Sequence, residues 1–194
     1  MITKNPHTSN LLTKKTHPMV ELFFEFAQLK NLYRQGWLRE DISKLDCESV
    51  ADHSFGVALL GYIIAEEYRP DLNSNHVMKL GLFHEIGEIY AGDVTPLDGI
   101  SLEDKLKKEQ LSTQQVFSKF SNPDKYISLW QEFEDQITPE SIFMKQVDRL
   151  EMALQANLYE RMGYDGLDDF FHYVQKKINS PELKSIFNQV LESR

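Results

Sequence analysis

Residues 84–96 have the sequence HEIGEIYAGDVTP. In the stretch that leads into this segment and through it, apolar residues recur every third position, at Val77, Leu80, Phe83, Ile86 and Ile89. A spacing of three to four residues predicts one apolar face of an α-helix, here from Asn73 or Ser74 to about Tyr90. Gly92 follows at the position where a helix end favours a residue that tolerates left-handed backbone angles.

The same helical periodicity continues on both sides of this segment. It predicts helices from Pro18 to about Leu32 and from Val50 to about Tyr68, the second capped by Ser49. After Gly99 it predicts further helices over about 102–120, 123–136, 139–162, 167–178 and 181–193. Alternating runs typical of β-strands are missing. We therefore expect an all-α fold, with a single-domain helical bundle over residues 18–194 and a flexible N-terminal tail over residues 1–17.

The composition excludes several classes of function. The 194 residues contain 21 Lys and Arg against 30 Asp and Glu, a formal net charge of −9. This charge argues against nucleic acid polymers and against anionic membrane surfaces as partners. No apolar run of about 18 residues exists to span a membrane, and no signal peptide is recognisable. The single cysteine, Cys47, excludes an intrachain disulfide, and a cytoplasmic location is expected.

Two histidines within apolar helices are the best candidates for chemistry. His53 and His84 each adjoin an acid, Asp52 and Glu85 respectively. A lone histidine on an apolar helix face is more often a core residue than a ligand. Here, however, Glu88 follows His84 by one helical turn, so an imidazole and two carboxylates converge. Histidine with carboxylate is a common ligand set for Zn²⁺, Mn²⁺, Fe or Co²⁺.

Asp148 is a fourth candidate, far along the chain. Its neighbours Val147 and Leu150 suggest that this turn of the helix faces inward. A buried carboxylate requires a partner, because an unpaired buried charge is costly. That partner is either a metal ion or a basic residue nearby, Arg149 or Lys145.

These residues resemble the ligand set of the HD-domain metal-dependent phosphohydrolases, which is a histidine, an adjacent His-Asp pair and a later aspartate. The segment ESVADHS at 48–54 resembles the first-ligand segment of the 5′-deoxynucleotidase branch of that family, and residues 84–96 resemble its central signature. Leu29-Lys30 and RQGW at 34–37 resemble its substrate-binding segment. One departure is that Glu85 stands where the family has aspartate, and its side chain is one methylene longer.

The resemblance implies an HD-type helical bundle with one divalent ion (Co, Mn, Zn, Mg, Fe or Ni). The implied ligands are His53, His84, Glu85 and Asp148. The implied reaction is hydrolysis of a (deoxy)nucleoside 5′-monophosphate, or a similar small phosphate ester, by a metal-activated water. Glu88 is the implied acid or base of that reaction.

The substrate-binding residues implied by the resemblance are Arg34, Trp37, Asp93 and Thr95, with Asp93 also catalytic. Arg34 is suited to a bidentate contact with phosphate, and Trp37 to packing on the sugar. The alternatives are a surface arginine, a core tryptophan and a loop-capping aspartate. The family also implies a homodimer.

Two other functions stay open at this point. A degenerate HD protein would bind nucleotide or metal with little turnover because Glu85 replaces aspartate. The other alternative is a different HD phosphohydrolase or a phosphodiesterase.

Overall fold

The fold consists of α-helices joined by short loops. The computed structural model describes residues 1–194. Its ten α-helices are α1 (Pro18–Asn31), α2 (Gln35–Arg39), α3 (Val50–Tyr68), α4 (Ser74–Phe83), α5 (Glu88–Ala91), α6 (Leu102–Phe117), α7 (Asp124–Asp135), α8 (Pro139–Arg161), α9 (Asp168–Lys177) and α10 (Pro181–Glu192). Two short 3₁₀ helices span Thr8–Leu11 and Pro96–Asp98, and β-structure is limited to two isolated bridges. The all-α prediction is confirmed.

Most helix ends lie where capping residues predict them. Ser49 precedes α3, and its Oγ accepts a hydrogen bond from the backbone N–H of Asp52 (3.2 Å). The Asp52 carboxylate in turn accepts from the backbone N–H of Ser49 (2.9 Å), which completes a reciprocal cap. Thr138 caps α8 in the same way, with Pro139 at the first helical position. The chain therefore begins its two longest helices with local hydrogen bonds.

The helix predicted to continue to Tyr90 instead ends at Phe83 and resumes as α5 at Glu88. Between them the backbone hydrogen bonds run three residues back, from Ile86 to Phe83 and from Glu88 to Glu85 (3.1 and 3.0 Å). These tighter turns rotate the side chains further per residue than an α-helix does. His84, Glu85 and Glu88 therefore do not lie along one α-helical face.

Contacts divide the chain into two compact units. The first comprises residues 1–54 and 82–131, and the second comprises residues 55–81 and 132–194. The core of the first unit is formed by Leu29, Leu32, Val50, Ile86, Ile89, Val116, Phe117 and Trp130. In the second unit, α8, α9 and α10 pack on one another. None of the helices combines the length and apolar character needed to cross a bilayer.

Residues 1–17, for which the sequence predicts a flexible tail, run beside α1 in the first unit. Three buried side-chain amides contact this segment: Gln28, Asn31 and Gln35. The Gln35 amide bonds both the N–H and the carbonyl of Ile2 (2.7 and 2.8 Å). Asn31 Nδ2 donates to the carbonyl of Asn5 (2.7 Å). The mobility of this segment stays a prediction, and these hydrogen bonds are what would oppose it.

Candidate active site

Two buried histidines of the first unit face each other. His53 lies in the first turn of α3, and His84 directly follows α4. Both are almost completely buried, and their Nε2 atoms are 3.3 Å apart. Two imidazole nitrogens that bind one tetrahedral ion at about 2.0–2.1 Å lie roughly 3.3 Å apart. The pair therefore has the spacing of two ligands to a single metal.

Glu85 brings a carboxylate to the same place. Its Oε1 is 3.5 Å from His84 Nε2 and 3.8 Å from His53 Nε2. The same oxygen accepts a hydrogen bond from Arg34 Nη1 at 3.1 Å. Burial opposes ionisation of Glu85, but attraction from His84, Arg34 and His53 outweighs it and holds the pKa of Glu85 at about 2. The site thus offers a negatively charged oxygen beside two nitrogens.

Asp148, the fourth predicted ligand, lies on α8 in the second unit. Val147 and Leu150 are fully buried, as their inward-facing pattern predicts, whereas Asp148 is only half-buried. Its membership of the ligand set stays a prediction.

Glu88 is the most unusual side chain of the site. It opens α5, is 1% exposed, and neither carboxylate oxygen has a hydrogen-bond partner. Burial, together with repulsion from Glu85 and Asp93, raises the pKa of Glu88 well above its usual value. A buried carboxyl group without hydrogen-bond partners destabilises a fold. Glu88 is therefore a candidate to bind a ligand or a water molecule, or to transfer a proton.

Arg34 and Asp93 form a charged pair beside this cluster. Arg34 Nη1 is 3.5 Å from Asp93 Oδ1, and the charges of Asp93 and Glu85 raise the pKa of Arg34 against the opposing effect of burial. Asp93 Oδ2 accepts a hydrogen bond from the backbone N–H of Gln35 (2.6 Å). Asp93 therefore ties the loop after α5 to the start of α2, and it brings a second carboxylate to Arg34.

The two remaining predicted substrate residues have structural partners. Trp37 is buried, and its Nε1 donates a hydrogen bond to Glu48 Oε1 (2.7 Å). Thr95 donates from its N–H and its hydroxyl to Asp98 Oδ2 (2.7 and 2.9 Å), which caps the short helix Pro96–Asp98. The burial of Trp37 matches the alternative of a core tryptophan. A role of either residue toward substrate stays a prediction.

These residues fit a divalent cation. The donor set is two imidazoles and a carboxylate, which is typical of Zn²⁺, Mn²⁺, Fe or Co²⁺ sites. Their ligand atoms lie within 3.3–3.8 Å of one another. The Glu88 carboxyl group, which has no hydrogen-bond partner, lies three residues after Glu85 in the same segment. Burial of so many acids together also favours a cation among them.

Sequence reasoning missed two residues of α6, Lys105 and Glu109. Glu109 is buried, and Lys105 Nζ lies 3.5 Å from its Oε1. Gly87 lies against Glu109 so closely that an added Cβ would be 2.7 Å from Glu109 Cβ. The stretch DKLKKEQ at 104–110 holds three lysines, and no sequence signal separates Lys105 from Lys107 or Lys108.

The comparisons with known proteins agree with this geometry. The sequence model of the HD domain family matches residues 26–190, and the chain belongs to that family. Among its relatives, the 5′-deoxynucleotidase HDDC2 of Homo sapiens is 31% identical over 172 residues, which cover 87% of this chain and 82% of the relative. The protein of that name from Dictyostelium discoideum is 31% identical over 188 residues, with 90% and 97% covered.

A solved structure supports the fold. The PH0347 protein from Pyrococcus horikoshii OT3 superposes with a TM-score of 0.76 at 30% identity. The match covers 91% of this chain and all of that chain. The prediction of an HD-type helical fold is confirmed.

Proposed function

We propose that this protein is a metal-dependent phosphohydrolase that removes the phosphate from deoxynucleoside 5′-monophosphates. The observation that carries the proposal is Glu88, a buried carboxyl group without partners beside a His53–His84–Glu85 cluster. Its relatives named 5′-deoxynucleotidase supply the substrate class.

His53, His84 and Glu85, with Asp148 as the predicted fourth ligand, would hold the cation. A divalent ion there supplies charge neutralisation at the phosphate and lowers the pKa of bound water. Glu85 is already ionised at neutral pH, because its pKa is about 2. The carboxylate therefore needs no proton release to serve as a ligand.

Glu88 and Arg34 are the residues that act on the substrate in this proposal. Hydrolysis forms a bond between water oxygen and phosphorus, breaks the bond between phosphorus and the 5′ oxygen, and delivers a proton to that oxygen. The raised pKa of Glu88 favours its protonated form, which suits proton donation to the leaving oxygen. Arg34 is suited to pair with phosphate oxygens, because its guanidinium stays charged beside Glu85 and Asp93.

The direct test is a panel of deoxy- and ribonucleoside 5′-monophosphates assayed with Co²⁺, Mn²⁺, Zn²⁺ and Mg²⁺. We expect inorganic phosphate to be released from the deoxy substrates with at least one of these ions. Phosphate release should stop when EDTA is added and return when the ion is restored. Failure of every monophosphate with every ion would refute the proposal, and a 3′-monophosphate serves as the matched control substrate.

The contact of Glu85 with Arg34 favours a second candidate, a protein of this family that binds nucleotide or metal with little turnover. The longer glutamate reaches the arginine at 3.1 Å, where the family has aspartate, and so competes with phosphate for that cation. A shift of about 1 Å in a reacting group can lower a rate roughly 100-fold.

The substitution Glu85→Asp distinguishes the two candidates. For an active phosphohydrolase we expect kcat/KM to change by less than about tenfold, because aspartate offers the same oxygen to the cation. A gain of about 100-fold or more would instead show that the native side chain restrains turnover. Glu103→Asp, on an exposed position of α6, is the control and should leave kcat/KM unchanged.

The identity of the ion, a homodimeric state and a cytoplasmic location stay predictions. The absence of nucleic acid polymers and membranes among the partners stays a prediction as well, based on the net charge of −9.

A further inference from the structure

Helix α6 runs alongside residues 84–90, the segment that begins with the predicted metal ligands His84 and Glu85. The backbone N–H of Tyr90 donates to Ser112 Oγ (3.1 Å). Three residues earlier on both segments, Gly87 packs against Glu109, where an added Cβ would be only 2.7 Å from Glu109 Cβ and 3.0 Å from its carbonyl oxygen. The two segments therefore run in the same direction, and going back along α6 leads toward His84 and Glu85.

Lys105 is the next residue on that face of α6. It precedes Glu109 by four residues, which places both side chains on the same side of the helix. Lys105 Nζ is 3.5 Å from Glu109 Oε1, longer than the 2.7–2.9 Å of a typical charge-assisted hydrogen bond. Its side chain keeps about a third of its surface exposed (32%), so the lysine is not closed off from solvent.

The electrostatic surroundings of Lys105 place it in the field of the site. Burial opposes its charge, but Glu109, Glu85, Glu88 and Asp93 together raise the pKa of Lys105 above its usual value. Three of those four acids belong to the candidate active site. Lys105 is therefore a permanent cation on the α6 side of the cluster, whereas Arg34 comes from the start of α2.

We propose that Lys105 binds the phosphate group of the substrate, with Glu109 as a positioning residue that holds the ammonium toward the site. The inference rests on the proposed function for its substrate. A phosphate monoester carries up to two negative charges and must approach the carboxylates of Glu85 and Asp93 and the carboxyl group of Glu88. Arg34 is already paired with two of these carboxylates, at 3.1 and 3.5 Å. Lys105 is a second cation, and its ion pair with Glu109 is long (3.5 Å). Its charge would therefore offset the repulsion between the phosphate and these acids.

The experiment compares the wild type with Lys105→Met, Lys105→Arg and the control Lys107→Met, which removes an exposed lysine of the same helix. Three quantities are measured in the presence of Mn²⁺: the Kd for inorganic phosphate by calorimetry, KM and kcat for dAMP, and the Kd for Mn²⁺ itself. Circular dichroism checks that each variant is folded.

We expect Lys105→Met to raise the Kd for phosphate and the KM for dAMP by about tenfold or more, the usual effect of losing a charge-assisted hydrogen bond. Mn²⁺ affinity should stay within about twofold, because Lys105 is not a ligand. Lys105→Arg should retain most of the phosphate affinity, and Lys107→Met all of it.

Two outcomes would overturn the proposal. One is a Lys105→Met protein whose phosphate Kd and KM match the wild type, and the other is a wild type that binds no phosphate. A wild type that binds phosphate through Lys105 but does not hydrolyse dAMP would contradict the proposed function and leave this inference standing. The two hypotheses therefore fail separately.

Discussion

Replacement of His84 by alanine is expected to weaken metal binding strongly and to abolish phosphate release. His84 is buried, and its Nε2 lies 3.3 Å from His53 Nε2 and 3.5 Å from Glu85 Oε1. Loss of an outer hydrogen-bonding partner of a metal ligand commonly lowers metal affinity by about 10–100-fold. Loss of the ligand itself should therefore raise the Kd for Mn²⁺ by at least about 100-fold, measured by calorimetry.

The control for this experiment is His172→Ala, since His172 is exposed on α9 in the second unit. It should bind Mn²⁺ and melt like the wild type. His84→Ala should still give a helical circular dichroism spectrum, because α3 and α4 keep their caps and their apolar contacts. A folded His84→Ala protein with unchanged Mn²⁺ affinity would show that the cluster is not the metal centre.

The substitution Glu88→Gln is expected to lower kcat by about 10²–10⁴-fold while metal affinity is retained. Glutamine keeps the size of the side chain but cannot exchange a proton. Since the Glu88 carboxyl group has no hydrogen-bond partner in the folded protein, the substitution breaks no existing hydrogen bond. The measurement is single-turnover hydrolysis of dAMP, together with the Kd for Mn²⁺.

Glu103→Gln, on the exposed first turn of α6, is the matched control and should leave both quantities unchanged. If Glu88→Gln turned over substrate within about tenfold of the wild type, proton transfer by Glu88 would be ruled out. Loss of Mn²⁺ binding in this variant would instead assign Glu88 to the ligand set.

Local signals in the sequence predict the helices well. Ser49 and Thr138 place the starts of α3 and α8 because their caps depend on residues only three positions away. The break between α4 and α5 was not predictable in this way. At the break Gly87 packs closely against Glu109 of α6, and a contact between residues so far apart leaves no trace in the periodicity around residues 84–90.

The residues of the candidate site also divide into those that local sequence signals predict and those that depend on contacts between distant parts of the chain. His53, His84 and Glu85 are recognisable because an imidazole beside an acid in an apolar helix is unusual. The ion pair of Arg34 with Glu85 joins residues 51 positions apart, and no pattern in the sequence predicts it. Lys105 is one of three lysines within four residues, so only the packing of α6 distinguishes it.

The segment beside α1 has a consequence for how this protein can diverge in sequence. Residues 2–6 of this segment contribute mainly backbone groups to the contact, such as the N–H and carbonyl of Ile2 and the carbonyl of Asn5. The hydrogen-bond partners of these backbone groups are the side-chain amides of Asn31 and Gln35. Backbone groups are the same in almost every amino acid, so most substitutions at residues 2–6 would leave these hydrogen bonds in place. Asn31 and Gln35 are not free to vary in this way, because the loss of either side-chain amide would leave backbone groups without a hydrogen-bond partner. We therefore expect sequence variation at residues 2–6 and little at these two positions.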